Sequence, residues 1–178
     1  MNKEDLIKSR ISELLSCLLE NSRMGMVKIA EKIGINRKTA WLLHKDLEKN
    51  KVIWGYTTVV DQMKLEEVVY FIQFKTKPLT KEFADLIIKR LVTDAAPLKI
   101  GVRIIDIYFL HGDYDVLIKF SAPNHEIAWA YCETLRIVYK DHFLETPQIS
   151  DAKFVLAQCG KVNPDLKTRL YDFVPKEF

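Results

Sequence analysis

The first fifty residues carry apolar side chains at the three- and four-residue spacing of amphipathic helices. This spacing predicts a first helix over Glu4–Asn21 and, after a turn at residues 22–25, a short second helix over Met26–Ile33. The inward face of the second helix is predicted to comprise Val27, Ile29, Ala30 and Ile33.

Gly34 and Asn36 separate the second helix from a third, which runs to about Lys49. Glycine ends helices because it enters the left-handed conformation readily, and asparagine caps the start of the next helix. Two short helices joined by three residues around a glycine are typical of a helix-turn-helix. Residues 52–60 are rich in β-branched and aromatic side chains, which predicts an extended wing and linker strand.

The rest of the chain alternates strand and helix signals in the order β-α-β-β-α-β. Strands are predicted over Val69–Lys77, Lys99–Leu110, Tyr114–Ser121 and Ile149–Cys159, and helices over Lys81–Val92 and from Asn124 to about Phe143. This order is that of the ferredoxin-like split unit. The predicted class is therefore α+β, with a winged helix-turn-helix followed by a ferredoxin-like domain. The predicted segments are 1–51 for the helix-turn-helix, 52–65 for the wing and linker, 66–160 for the ferredoxin-like domain and 161–178 for a C-terminal extension.

The predicted strand Lys99–Leu110 has apolar residues on both sides. Simple alternation places Ile105, Ile107 and Phe109 on one side and Ile104 and Tyr108 on the other. Helices can cover only one face of the sheet, so the other face is predicted to pack on the sheet of a second copy. The alternative is that the wing strand or residues 161–178 cover it.

Charge is distributed unevenly. Residues 1–64 hold 12 Lys and Arg against 8 Asp and Glu, whereas the remaining residues hold 15 against 16, so the net charge of +3 comes from the helix-turn-helix segment. This distribution favours a nucleic-acid partner. The sequence shows no apolar run long enough for a membrane helix and no signal peptide, which predicts a cytoplasmic protein.

Cysteines and histidines suggest no cofactor or metal chemistry. Cys17, Cys132 and Cys159 are far apart, odd in number and surrounded by apolar residues, so they are predicted to be buried, reduced thiols. The four histidines form no ligand pair, and the common nucleophile and phosphate-binding motifs do not occur. The sequence therefore predicts a protein that is not an enzyme and needs no metal or cofactor.

Four stretches together resemble the Lrp/AsnC family of transcriptional regulators. They are Glu20–Arg23 at the end of the first helix, Ile29–Asn36 across the turn, Leu47–Asp61 with its GYTTVVD segment, and Gly112–Lys119 with its GDYD turn. The resemblance spans roughly residues 4–160. It implies a DNA-binding homodimer that can assemble into tetramers or octamers. In such a protein the ferredoxin-like domain dimerises the chain and binds an amino acid or a related small effector.

The chain departs from the family at the third helix. Trp41, Leu42, Leu43 and His44 stand where the family usually carries several arginines. Lys51 replaces the glycine that ends this helix, so Asn50 is expected to take the left-handed cap.

Double-stranded DNA is expected to meet the exposed face of the third helix, whose N-terminal part reaches base edges in a helix-turn-helix. The candidates are Arg37, Lys38, Thr39, Trp41 and Lys45, with Lys28 of the preceding helix contacting phosphate. The alternative is a solvated helix face with Trp41 packed on the linker or a partner.

The candidate effector site is the turn His111, Gly112, Asp113, Tyr114 and Asp115. Glycine allows a ligand close to the backbone, and carboxylates can hold an ammonium group. The alternative is a tight hairpin whose aspartates bond their own backbone. Two further functions remain open beside a ligand-responsive regulator: an enzyme of the sirohaem decarboxylase type on the same scaffold, and an assembly partner that does not bind DNA.

Overall fold

The computed structural model describes residues 2–93 and 100–175. The chain divides into two compact units, Met1–Thr58 and Val59–Phe178, and the division falls inside the predicted linker. None of the helices in the described residues has the length and apolar content needed to cross a membrane.

The first unit is a three-helix domain of α1 (Lys3–Glu20), α2 (Met26–Ile33) and α3 (Arg37–Lys49). All three helices contribute to one apolar core, whose buried residues are Leu14, Cys17, Leu18, Ile29, Ile33 and Leu47. The prediction that Val27 faces inward is wrong, since its side chain is 48% exposed. The buried face of α2 begins one turn later, at Ile29 and Ala30.

The turn between α2 and α3 forms as its residue types predict. Gly34 has φ +67° and ψ +41°, and its N–H donates to the carbonyls of Ala30 and Glu31. The side chain of Asn36 accepts a hydrogen bond from the backbone N–H of Thr39 at 2.8 Å. Each of the two helix ends thereby gains capping hydrogen bonds, and the prediction of a helix-turn-helix is confirmed at this turn.

Two predictions beyond α3 are wrong. Lys51 itself takes the left-handed conformation at φ +57°, while Asn50 stays at φ −82°. Residues 52–60, all within the described part of the chain, run without strand pairing up to a short 3₁₀ turn at Gln62–Leu65. Their β-branched and aromatic residues find no neighbouring strand within the single chain, and sequence preference alone does not make a strand.

The second unit is a four-stranded antiparallel sheet with helices between its strands. Its elements are β1 (Val68–Phe74), α4 (Lys81–Thr93), β2 (Arg103–Phe109), β3 (Val116–Ala122), α5 (His125–Val138) and β4 (Gln148–Asp151). The strand order β2-β3-β1-β4 is that of the ferredoxin-like fold, so the predicted fold class is confirmed. Asn124 caps α5 by accepting from the backbone N–H of Ile127 at 2.9 Å.

The core of this unit lies between the sheet and α5. Alternate residues of β1 and β3 meet one face of that helix, and the central members are Tyr70, Ile72, Ile118, Phe120, Ala128 and Cys132. Helix α4 contributes less, because its buried anchor is Phe83 while Leu91 is 55% exposed.

A β-bulge in β2 changes which face its side chains occupy. Ile104 is opposite Phe120 and Asp106 is opposite Lys119, which leaves Ile105 without a partner residue. Ile104 therefore lies on the same face as Ile107, and the predicted strict alternation is wrong. Directly opposed residues share a face of the sheet, so Tyr108 lies on the same face as its partner Leu117. Phe71 of β1 is opposite Lys119, two residues from Leu117, and so lies on this face too. We call this face, which points away from α5, the outer face.

The C-terminal part of the chain also differs from prediction. The last strand of the sheet ends at Asp151 rather than Cys159, and a separate hairpin follows, made of β5 (Ala157–Gln158) and β6 (Lys161–Val162). Cys159 and Gly160 both have positive φ, as a two-residue type I′ turn requires. Cys159 is exposed because it forms this turn, so its predicted burial is wrong, whereas Cys17 and Cys132 are buried as predicted.

The C-terminal extension folds back on the second unit. After β6 it forms α6 (Leu166–Arg169) and a 3₁₀ turn at Leu170–Phe173. The Lys64 ammonium lies 2.7 Å from the carboxylate of Asp165. The guanidinium of Arg169 lies over the ring of Phe154, which in turn faces Phe173. The extension thus reaches the 3₁₀ turn that precedes β1.

Candidate functional site

Helix α3 presents its N-terminal turn to solvent. Ala40 and Leu47 are buried on the inner face, and Arg37, Lys38 and Thr39 are exposed on the other. The Asn36 cap holds the first turn in place. Two cationic side chains therefore project from a fixed helix start, as contact with a phosphate backbone or a guanine edge requires.

The middle of α3 carries an exposed apolar pair. Trp41 and Leu42 are 49% and 51% exposed, so about half of each side chain remains accessible within the single chain. An indole can contact thymine methyl groups or sugars but cannot form an ion pair with phosphate. The exposed cations of α3 are Arg37 and Lys38 in its first turn, Lys45, and Lys49 at its end.

Lys45 belongs to a polar cluster that the sequence did not indicate. Its ammonium lies 2.9 Å from Oε2 of Glu48, and the hydroxyl of Tyr56 donates to Oε1 of Glu48 at 3.1 Å. The same hydroxyl lies 2.5 Å from Nε2 of His44. The cluster joins α3 to the segment that follows it.

The electrostatics of this cluster follow from its hydrogen bonds. The hydrogen bonds from Lys45 and Tyr56 lower the pKa of Glu48. The pKa of Tyr56 is raised, mainly by its partial burial and secondly by its hydrogen bond to Glu48. Part of the charge of Lys45 is therefore already balanced within the chain. The i,i+3 spacing of Lys45 and Glu48 was the available sequence signal, whereas the arrival of Tyr56 depends on the path of the backbone after α3.

The two lysines of α2 differ in their surroundings. Lys28 is exposed at the surface of the helix-turn-helix unit. Lys32 forms an ion pair with Glu20 at 2.6 Å, which raises the pKa of Lys32. Lys28 is the more available of the two for a phosphate contact.

The GDYD turn lies between β2 and β3, and its second aspartate has a structural role. The carboxylate of Asp115 accepts from the backbone N–H of Thr76 at 2.7 Å, and its own N–H donates to the carbonyl of Phe74 at 3.1 Å. These bonds fix the turn against the end of β1. Gly112 has φ +150°, which L side chains rarely adopt.

The remaining residues of the turn point in different directions. The hydroxyl of Tyr114 donates to the side-chain oxygen of Gln148 at 2.8 Å, which ties the turn to β4. His111 and Asp113 are exposed. Tyr114 thus holds the turn in place, whereas Asp113 offers an accessible carboxylate.

An open cavity of about 390 Å³ lies beside the turn. Gly112, Asp113 and Asp115 line it, and His111 and Tyr114 are not among its lining residues. Lys75 and Lys77, which sequence reasoning did not select, line the same cavity. Lys75 lies 3.5 Å from Glu145, and Lys77 donates to the carbonyl of Asp141 at 2.8 Å. The cavity is therefore lined by both carboxylates and ammonium groups.

Comparison with known proteins agrees with the helix-turn-helix found at the start of the chain. A family model described as a winged helix-turn-helix DNA-binding domain matches residues 10–53. An uncharacterised HTH-type transcriptional regulator from Pyrococcus abyssi is 25% identical over 133 residues, which cover 75% of this chain and 82% of that protein.

Two solved structures show the same fold over most of the chain. An AsnC family transcriptional regulator from Agrobacterium tumefaciens has a TM-score of 0.63 at 17% identity, covering 93% of this chain and 98% of that one. A transcriptional regulator from Neisseria meningitidis, solved as a complex with L-Met, has a TM-score of 0.63 at 13% identity, covering 92% and 96%. The predicted resemblance is confirmed: residues 10–53 match a winged helix-turn-helix DNA-binding domain, and up to 93% of the chain has the fold of the Lrp/AsnC transcriptional regulators.

Proposed function

We propose that this protein is a DNA-binding transcriptional regulator of the Lrp/AsnC type and that α3 enters the major groove. The main support for this proposal is the pair of exposed cations, Arg37 and Lys38, on the capped first turn of α3. In this arrangement Arg37 and Lys38 contact base edges or phosphates, and Thr39 contacts a phosphate or a thymine methyl. Trp41 contacts a methyl or sugar, and Lys45 and Lys28 contact phosphate.

We further propose that the regulator is a cytoplasmic homodimer formed through the outer face of the sheet. Phe71, Leu117 and Tyr108 lie on the face away from α5, and Tyr108 is 48% exposed. A second copy related by a two-fold axis covers these side chains and presents two α3 helices to one pseudo-palindromic site. Dimers of this kind can associate further into tetramers or octamers.

The effector proposal concerns the GDYD turn. A free amino acid carries an ammonium and a carboxylate, and the cavity at Gly112 offers Asp113 for the first and Lys75 or Lys77 for the second. The L-Met complex of the Neisseria relative supports an amino acid as the ligand class. Such a ligand regulates DNA binding only if it binds one assembly state more tightly than another.

DNA binding is tested with the full chain and a fragment from upstream of its own gene. The double variant Arg37→Ala, Lys38→Ala should weaken binding at least tenfold, and wild-type affinity should fall steeply with salt because phosphate contacts release counterions. The control Lys140→Ala, Lys153→Ala removes the same charge from exposed positions in the second unit and should bind within about threefold of wild type.

Two outcomes would contradict the proposal. Binding that is undetectable at micromolar protein favours the assembly partner that does not bind DNA, because Trp41 and Leu42 then serve a protein contact. A change in the absorption spectrum of added sirohaem favours the decarboxylase alternative. The relatives described above are regulators, which is consistent with a role other than catalysis.

Effector binding is tested by thermal shift with each of the twenty amino acids, followed by calorimetry on those that stabilise the chain. Asp113→Asn should weaken binding at least tenfold because it removes a charge-assisted hydrogen bond to the ammonium. Asp172→Asn, at an exposed position in the extension, should leave it unchanged. If no amino acid stabilises the wild-type chain, this part of the proposal fails.

A further inference from the structure

A second and larger cavity lies inside the ferredoxin-like unit, between the sheet and helices α4 and α5. Its volume is about 430 Å³, within the range of small-molecule sites. Nearly all of its lining is apolar. Its lining residues include Phe83, Ile87, Ile104, Phe109, Tyr131 and Val138.

The cavity exists because α4 is seated on the sheet at one end only. Phe83, Ile87 and Leu91 follow one another at four-residue spacing and so share a face of the helix. Phe83 at the start is 2% exposed, Ile87 is half-buried, and Leu91 near the end is 55% exposed. All three side chains line the cavity, but their burial decreases along the helix, which leaves unfilled apolar space beside the second half of α4.

The chemistry of this cavity differs from that of the cavity at the GDYD turn. Rings of phenylalanine and tyrosine come from α4, β2 and α5, and Arg90 is the charged side chain among the described lining residues. The cavity reaches the surface, where Leu91 and Phe109 are 55% and 64% exposed, so an apolar guest would remove their apolar area from water. A zwitterion would lose its hydration there without gaining paired charges, so a free amino acid is a poor fit. A flat uncharged ring contacts the surrounding aromatic side chains edge-on or offset.

We propose that this cavity is a ligand site for a small, uncharged aromatic molecule about the size of indole. The ligand replaces the contacts that α4 does not make and holds the second half of α4 on the sheet. This site adjoins the proposed amino-acid site at the GDYD turn, because Phe109 lines both cavities, but its ligand belongs to a different chemical class. The proposal does not depend on the proposed function, since binding is measured without DNA and without an amino acid.

The test uses the full chain and indole, with Val138→Phe as the blocking variant. Val138 lines the cavity from α5, and a phenyl ring there occupies part of its volume. The matched control is Ile137→Phe, one residue earlier on the same helix, where the side chain is 71% exposed and outside the lining. Thr134→Phe, at an exposed lining position one turn away, serves as a second blocking variant if Val138→Phe does not fold.

Calorimetry should show saturable binding of one indole per wild-type chain. Val138→Phe should weaken it at least tenfold, which corresponds to about 1.4 kcal/mol or more. Ile137→Phe should stay within about twofold of wild type. Intermolecular NOEs should connect indole protons to the ring protons of Tyr131. Absence of saturable binding, equal binding by the two phenylalanine variants, or NOEs only to other parts of the chain would each overturn the proposal. The first of these results would mean that α4 closes the cavity itself.

Discussion

Lys51 illustrates how much a single backbone conformation contributes at the residue scale. A residue with a Cβ atom in the left-handed region is strained by roughly 1–2 kcal/mol, whereas glycine is not. Lys51→Gly removes this strain, but glycine also increases the entropy of the unfolded chain, which offsets part of the gain. The variant should therefore raise the free energy of unfolding by about 0.5–1 kcal/mol. Urea denaturation followed by circular dichroism measures the change.

A matched control lies two residues earlier. Lys49→Gly places glycine in the last turn of α3, where the backbone is helical, and should lower the free energy of unfolding by up to about 1 kcal/mol. Equal destabilisation by both glycines would show that the strain at Lys51 has no energetic weight.

The same region shows which residue conformations a sequence can predict. Gly34 and Asn36 were predictable because their own chemistry selects a left-handed cap and a side-chain cap. The conformation of Lys51 was not, because it is imposed from outside the residue. The N–H groups of Val52 and Ile53 both donate to the carbonyl of Leu47, and Ile53 packs on the core of the unit. The chain must turn at Lys51 to reach those contacts.

At the scale of an element, the C-terminal extension is anchored by an ion pair. A hydrogen bond from Lys64 lowers the pKa of Asp165 in the folded protein. The ion pair therefore stabilises the fold above the ordinary aspartate pKa of about 3.9, and this stabilisation is lost as the pH falls through the lowered pKa of the folded state. The pair is largely exposed, so its effect should be local. We expect residues 161–175 to exchange amide hydrogens faster in Asp165→Asn.

Hydrogen–deuterium exchange with peptide resolution measures this change at neutral pH. Peptides from the helix-turn-helix unit should be unaffected, and Asp172→Asn should match wild type throughout. An extension that exchanges at the same rate in Asp165→Asn as in wild type would show that the aromatic contacts of Phe154 suffice to hold it.

Elements were more predictable than their edges and faces. Most helices and sheet strands of the described residues were predicted because hydrophobic periodicity is a local property of the sequence. The strand expected at residues 52–60 failed because a strand needs a partner, and partner pairing is a long-range property. Ile149–Cys159 was predicted too long for a similar reason. Pairing with β1 stops at Asp151, and Ala157 and Gln158 pair with Lys161–Val162 instead.

The candidate sites were predictable to different extents. Positions on one exposed helix face follow from helical periodicity, which is why Arg37, Lys38 and Thr39 were found together. The cavity at the GDYD turn was only half predictable, because Lys75 and Lys77 reach it through the pairing of β1 with β3. The contact of Tyr56 with Glu48 and that of Thr76 with Asp115 were missed because Tyr56 and Thr76 come from other parts of the chain.

At the scale of the whole molecule, the proposed dimer predicts a change in mass. Phe71→Glu places a carboxylate in the centre of the outer face, opposite Lys119, which already pairs with Asp106 at 3.8 Å. The new negative charge is therefore unbalanced, and its burial in an interface would be costly. The variant should fold and should elute as a monomer at concentrations where wild type is a dimer. Size-exclusion chromatography with light scattering measures the mass directly.

Ile88→Glu is the control for the dimer. It adds the same charge on α4, at a side chain that is 57% exposed and away from the outer face of the sheet. This variant should keep the wild-type mass. If the Phe71→Glu variant remains dimeric, the dimer interface does not lie on the outer face of the sheet.

The bulge at Ile105 has a consequence for reading related sequences. Because one residue of β2 has no counterpart on β3, the pattern of inward and outward positions reverses its phase at this point. A relative that lacks the extra residue should be aligned with a gap at 105. Without that gap, its equivalent of Ile107 would be aligned with Asp106 and assigned to the outer face of the sheet instead of the core. One unopposed isoleucine therefore determines which substitutions among homologues count as conservative along the rest of the strand.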